Sequence, residues 1–203
     1  MVAHERRMRV LLSGYVGREN LGDEAIAASL AAGLAKRGFS PRVLSASPAI
    51  TRRTLGVPAH GRMAGVLPAV LQVDAVVSGG GGLLQDRTSA RSLTYYLSVL
   101  RLARRLGRST FVYSQSIGPL SERGRRQVAR ALAKTACFVR DAPSATLLAA
   151  AGKASMRVAD AALALDPSHT VAQGVQGGVL LIPRGDVEGA TGALRFVARQ
   201  LTA

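Results

Sequence analysis

Cysteine occurs once in this chain of 203 residues, tryptophan is absent, and lysine appears only as Lys36, Lys134 and Lys153. The lone Cys137 excludes an internal disulfide and a cysteine-rich metal site. It lies in the apolar run Thr135-Ala136-Cys137-Phe138-Val139 and reads as a small core residue. Histidine is scarce too: His4, His60 and His169 stand far apart in unrelated contexts, which disfavours a metal cluster and reads as surface histidine. Aromatic residues are only 4% of the chain, and no basic stretch is interleaved with them for base stacking, so nucleic acid is not an expected partner. No apolar run reaches the ~18 residues that read as a membrane span. The first apolar run, Val10 to Leu12, is too short for a signal-peptide core. The chain therefore reads as cytoplasmic, with peripheral contact at the inner face of a membrane left open. A serine-hydrolase elbow of the form Gly-x-Ser-x-Gly is also missing.

What is present is apolar residue, 48% of the chain, enough for a substantial core, and a formal net charge of +15 from 27 basic and 12 acidic residues. Such a field attracts anions. Short β-branched runs alternate with longer helical patterns, which predicts an α/β domain with a parallel sheet. Strands are expected at 9–13, 41–45, 73–78, 110–114, 137–140 and 156–158. Helices are expected at 22–37, 65–71, 91–106, from the cap Ser121 to about 135, and at 142–151. Residues 46–65, rich in Pro, Gly and Arg, give no clear element. A linker is expected over 166–178, followed by one further strand (179–183) and helix (188–201). One βα unit cannot bury its own faces, so these residues are expected to belong with a second domain or to pack on the first, 1–165.

Ligands of open α/β sheets sit outside the carboxyl ends of the strands. Three such ends are rich in glycine and small polar residues. The first runs from Gly14 through Tyr15, Gly17, Asn20, Gly22, Asp23 and Glu24 into a helix whose free N–H groups can meet an anion. Its spacing is neither G-x-G-x-x-G nor a P-loop; Asp23 and Glu24 can equally serve to offset the helix dipole. The second is Ser78-Gly79-Gly80-Gly81-Gly82, then Gln85, Asp86, Arg87, Thr88 and Ser89. Four glycines directly after a core strand point to close approach of a ligand or another backbone. The third is Gln115-Ser116-Ile117-Gly118-Pro119.

In this order, Gly14-Tyr15, Asn20 to Ile26, Ser78 to Thr88, Tyr95-Tyr96, Gln115 to Pro119, Val139-Arg140-Asp141 with Ser144, and Ala159-Asp160 with Ala162-Leu163 resemble the polysaccharide pyruvyl transferase family, in particular its cell-surface-anchoring (CsaB-type) branch. The resemblance covers most of residues 9–165. It implies a Rossmann-like N-terminal domain of a GT-B-like two-domain enzyme. It also implies transfer of the enolpyruvyl group of phosphoenolpyruvate, the donor substrate, to a lipid-linked or polymeric cell-wall sugar as a ketal that retains S-layer proteins. No cofactor and no metal are expected. Substrate binding is expected from Gly14, Tyr15, Gly17, Asn20, Gly22, Asp23, Gly80, Gly81, Gln85, Asp86, Thr88, Gln115, Ser116 and Gly118. Arg184 matches a position where the family places a donor-binding arginine. The family's catalytic histidine lies in a second domain of which this chain holds the first βα unit, so a further C-terminal domain or a partner subunit is expected to complete the site.

Ketal formation needs a proton donor for the enol methylene and cations for phosphate. Asp23, Asp86 and Glu24 are the carboxylates at hand, with Asp23 and Asp86 named as catalytic candidates; Arg18, Arg87 and Arg184 are the cations. Three other readings remain: a GT-B nucleotide-sugar glycosyltransferase, a non-catalytic basic binding domain, and a structural half that pairs with a separate chain.

Overall fold

The computed structural model describes residues 6–165, together with Gly192 and Arg195, which are exposed helical positions. The chain divides into two compact units, Met1–Leu165 and Asp166–Ala203. The expected linker over 166–178, the strand 179–183, Arg184 and, apart from Gly192 and Arg195, the helix 188–201 lie outside the described residues.

In the first unit, strand β1 (Arg9–Ser13) leads into helix α1 (Leu21–Lys36), and β2 (Ser40–Ser45) into α2 (Pro48–Leu55). Next come β3 (Ala59–Gly61), α3 (Val66–Leu71), β4 (Ala75–Gly79), α4 (Ala90–Arg105), β5 (Ser109–Gln115) and α5 (Glu122–Leu132). The series ends with β6 (Ala136–Val139), α6 (Ala142–Ala150), β7 (Met156–Arg157) and a 3-10 turn, Ala161–Ala164. Side-chain caps open the longer helices. Asn20 Oδ1 accepts from the Asp23 N–H, Ser89 from that of Ser92, and Ser121 from that of Gly124. α4 is helical because Leu93, Tyr96, Leu97, Leu100 and Ala103 recur at three- and four-residue spacing and are all buried.

All seven strands are parallel, in the order β3-β2-β1-β4-β5-β6-β7. This is the doubly wound order, α/β and Rossmann-like. Strand order reverses between β1 and β4, the place where such folds open a crevice. Neighbouring residues of β1 serve opposite faces. Leu11 joins Leu44, Val76, Val112, Leu97, Leu100, Leu132 and Leu148 on the side of α3, α4, α5 and α6. Leu12 joins Val43, Val16, Ala27 and Ala31 on the side of α1. Strands buried on both sides read as continuous apolar runs, which is why they were legible. Cys137 is buried, as expected.

Residues 46–65 do contain structure: α2 and β3. Only Thr51 of α2 is buried, so the helix carries no apolar stripe, and β3 has only three residues, too few to show a period. Among the described residues, no helix is long and apolar enough to cross a membrane.

Candidate functional site

The three glycine-bearing loops meet at the carboxyl ends of β1, β4 and β5. A Cβ on Gly14 would lie 2.7 Å from the Gly79 carbonyl oxygen, so the chain can leave β1 this close to β4 only with glycine there. Gly17 has φ +75° and packs against Ser45 and Ser47, where a Cβ would come within 2.5 Å of the Ser47 backbone nitrogen. Its N–H donates to Glu24 Oε1 at 2.7 Å, and its carbonyl accepts from the Ser47 hydroxyl at 3.1 Å. Glu24 thus fixes the first loop.

The four glycines that end β4 and follow it divide into two pairs. Gly79 and Gly80 are packing positions: a Cβ would meet Leu30 Cδ1 at 2.5 Å from the first and Leu83 Cδ1 at 2.8 Å from the second. Gly81 and Gly82 have room. The Gly81 N–H donates to Asp23 Oδ1 at 3.3 Å, tying the second loop to the start of α1. The second and third loops are zipped together: Ser116 N–H donates to Gly81 O, and Gly118 N–H to Leu84 O, each at 2.9 Å. A parallel bridge between Leu84 and Ile117 completes the seam.

A polar chain continues outward from this seam. The Ser116 hydroxyl donates to Asp141 Oδ2 at 2.5 Å and accepts from Arg140 Nε at 2.8 Å. Arg140 Nη1 is paired with Asp160 Oδ2 at 2.5 Å. Ser114, at φ 54°, accepts from the Ala161 N–H and donates to the Ala159 carbonyl, which brings the loop after β7 to the same edge. Gln115 is fully buried. Its Oε1 accepts from the Ser78 hydroxyl at 3.2 Å, and its Nε2 has no partner among the described residues.

The two carboxylates named from sequence differ in setting. Asp23 is half-buried, and that burial, helped by the neighbouring Glu24 charge, raises its pKa above the ordinary 3.8; the Gly81 N–H and the Arg140 charge oppose the shift. Asp86 accepts from both the N–H and the hydroxyl of Ser121, and these bonds hold its pKa below the ordinary value. It lines a separate cleft between α4 and α5, with Arg91, Arg123 and Gln127. Gln85 and Thr88 bond each other across their own turn. Tyr15 projects from the first loop and is 38% exposed. Arg18 and Arg87 are exposed. Burial thus shifts Asp23 upward, while Asp86 is bound into the start of α5 and shifted downward.

Sequence reasoning passed over Arg62, which follows β3 directly and stacks among Tyr15, Tyr95 and Tyr96. The only signal was an arginine next to a glycine in a stretch with no legible element. Arg140 and Asp160 were visible only through the family resemblance. Among the described residues no group of three His, Cys, Asp or Glu is arranged to hold a metal. A cavity of about 570 Å³ lies away from these loops on the α1 side of the sheet, lined by Leu12, Leu30, Val77, Phe111 and Tyr113. Its lining is apolar apart from Ser29 and Arg37, and offers no carboxylate for proton transfer.

Asp141 also caps α6. Burial alone would raise its pKa, but hydrogen bonds from Ser116 and Ser144 and the Arg140 charge outweigh that and lower it. Its folded-state value thus lies below its unfolded one. The stability it contributes is complete above 3.8 and is lost as pH falls through the lower folded value. Denaturant unfolding on either side of that pH should show a shallower acid loss in Asp141→Asn than in the parent; identical slopes would remove Asp141 from the account.

No curated protein matches the chain. The model of the family described as polysaccharide pyruvyl transferase matches residues 20–186. That span holds Asp23, the second and third loops, Arg140 and Asp160, and with it matched over most of its length, this chain belongs to the polysaccharide pyruvyl transferase family and is a transferase.

Proposed function

We propose that the crevice between the ends of β1 and β4 takes part in moving the enolpyruvyl group of phosphoenolpyruvate onto a cell-wall polysaccharide sugar as a ketal. The observation that carries this reading is Asp23: a half-buried carboxyl of raised pKa, at the strand-order reversal, beside a glycine loop and a guanidinium. A carboxyl that keeps its proton closer to neutrality is suited to acid catalysis.

Protonation of the enol methylene turns it into a methyl group and leaves C2 cationic. One sugar hydroxyl attacks C2 and loses its proton. The C2–O bond to phosphate then breaks, and a second hydroxyl attacks C2 and loses its proton. The methylene and the departing phosphate each take up one proton, the two sugar hydroxyls release one each, and phosphate leaves as hydrogen phosphate. Asp23 supplies the first proton and recovers one from a sugar hydroxyl. The Gly81 N–H, bonded to its Oδ1, helps to orient it.

The cell-surface-anchoring branch, a GT-B-like second domain carrying further donor groups, and action on a lipid-linked precursor at the inner membrane face extend the same reading. The test uses protein purified from its own cells, phosphoenolpyruvate, and wall glycan stripped of its pyruvate by mild acid. One ketal-bound pyruvate should form on the glycan for each phosphate released. Sugar transfer from a nucleotide sugar without consumption of phosphoenolpyruvate would contradict the proposal.

A further inference from the structure

Arg62 stands immediately after β3, at the same carboxyl edge of the sheet as the glycine loops. Its guanidinium carbon lies 4.7 Å from the ring centre of Tyr95, 5.6 Å from that of Tyr96 and 5.7 Å from that of Tyr15. Two elements supply these rings: Tyr15 comes from the loop after β1, and the other two from α4. Tyr95 and Tyr96 meet edge to face with ring centres 5.1 Å apart. The guanidinium is thereby held in place from several sides, and part of its hydration is replaced by ring faces.

Of its five N–H donors, one bonds Tyr96 Oη at 3.2 Å. Among the described residues no carboxylate pairs with it. Four other arginines are paired: Arg6 and Arg9 with Asp74, Arg126 with Glu122, and Arg140 with Asp160. The Tyr95 hydroxyl is buried without a partner among the described residues. Burial pushes the Tyr96 phenol up to about 12, so it stays neutral and does not cancel the charge on Arg62. The arrangement is a part-buried guanidinium set among ring faces, with no carboxylate partner among the described residues. A fixed guanidinium fork suits bidentate capture of phosphate or carboxylate oxygens.

We propose that Arg62 is the oxyanion-binding residue of this crevice and holds a phosphate-type group of a substrate, with the tyrosines fixing its plane. The assignment rests on the reading that the crevice takes a phosphorylated ligand. That group belongs either to phosphoenolpyruvate or to the diphosphate that links an acceptor sugar to its carrier.

The chain offers its own reporter. It has four tyrosines and no tryptophan, and three of those tyrosines surround Arg62. Phosphoenolpyruvate, uridine diphosphate and inorganic phosphate are titrated into the full chain, with binding read by tyrosine emission and calorimetry. At least one should bind saturably and change the emission. Arg62→Ala should weaken that binding about ten- to hundredfold, the loss expected for a charged hydrogen-bonding pair. Arg62→Gln retains a polar stem without the charge and should lose as much, which decides the matter should the alanine variant fail to fold. Wild-type affinity in a folded variant, or no binding of any of the three by the parent, overturns the proposal. Uridine diphosphate binding without phosphoenolpyruvate binding, lost in the variants, sustains Arg62 and defeats the pyruvyl reading. Phosphoenolpyruvate binding untouched by the variants does the reverse.

Discussion

Asp23→Asn should lower kcat by about 10²–10⁴-fold, the range attached to a positioned general acid, with KM nearly unchanged. Asparagine keeps an oxygen to accept from the Gly81 N–H, so the seam between the first and second loops survives. What is lost is the transferable proton. The parent should also lose kcat as pH rises through the raised Asp23 pKa, because the protonated form is the active one. Stability should move the opposite way from activity. Above that pKa the folded parent carries an ionised carboxylate that burial disfavours, and the asparagine variant does not. The variant should therefore be at least as stable at neutral pH, with the gap closing as pH falls towards 3.8. Retention of more than about a tenth of the parent kcat would remove Asp23 from the proton-donor role, since general acids contribute at least ~10²-fold.

Gly17→Ala is the second large effect, and it acts on stability. The new Cβ would come within 2.5 Å of the Ser47 nitrogen and against Ser45 Oγ, at a backbone φ of +75°. Left-handed backbone costs a non-glycine residue about 1–3 kcal/mol. Forcing a group into a packed site adds about 1–3 kcal/mol. The sum, about 2–6 kcal/mol, corresponds to a fall in Tm of roughly 5–20 °C for a domain of this size. Calorimetric melting checks it. Gly82→Ala is the matched control, since a Cβ there meets open space; equal losses in the two variants would show that crowding at Gly17 is not the cause.

The strands and long helices were legible because their signals are local. β1, buried on both faces, reads as an apolar run, and α4 repeats its buried leucines at helical spacing. The caps Asn20, Ser89 and Ser121 stand just before the helices they open. α2 and β3 escaped because one buries a single residue and the other has three residues held mainly by pairing to β2. Arg62 was hidden with them.

The loops after β1, β4 and β5 could be singled out by their glycines, and they do meet. Which carboxylate is shifted upward was not legible. Asp23 and Asp86 look alike in sequence, each among small polar residues after a strand. Their difference lies in tertiary contacts: burial, which outweighs the bond from the Gly81 N–H, for one, and two bonds from Ser121 for the other. Likewise the glycine run does not reveal that Gly79 and Gly80 serve packing while Gly81 and Gly82 leave room.

The central claim is that phosphoenolpyruvate chemistry takes place where strand order reverses between β1 and β4. Hydrogen exchange of the full chain, followed by mass spectrometry with and without phosphoenolpyruvate, tests it directly. Protection should appear in peptides covering residues 13–24 and 78–88, and Asp23→Asn should retain it, because it removes a proton and leaves the loops intact. Unchanged exchange in both segments, or protection confined to the apolar cavity around Leu12, Phe111 and Tyr113, would contradict the account.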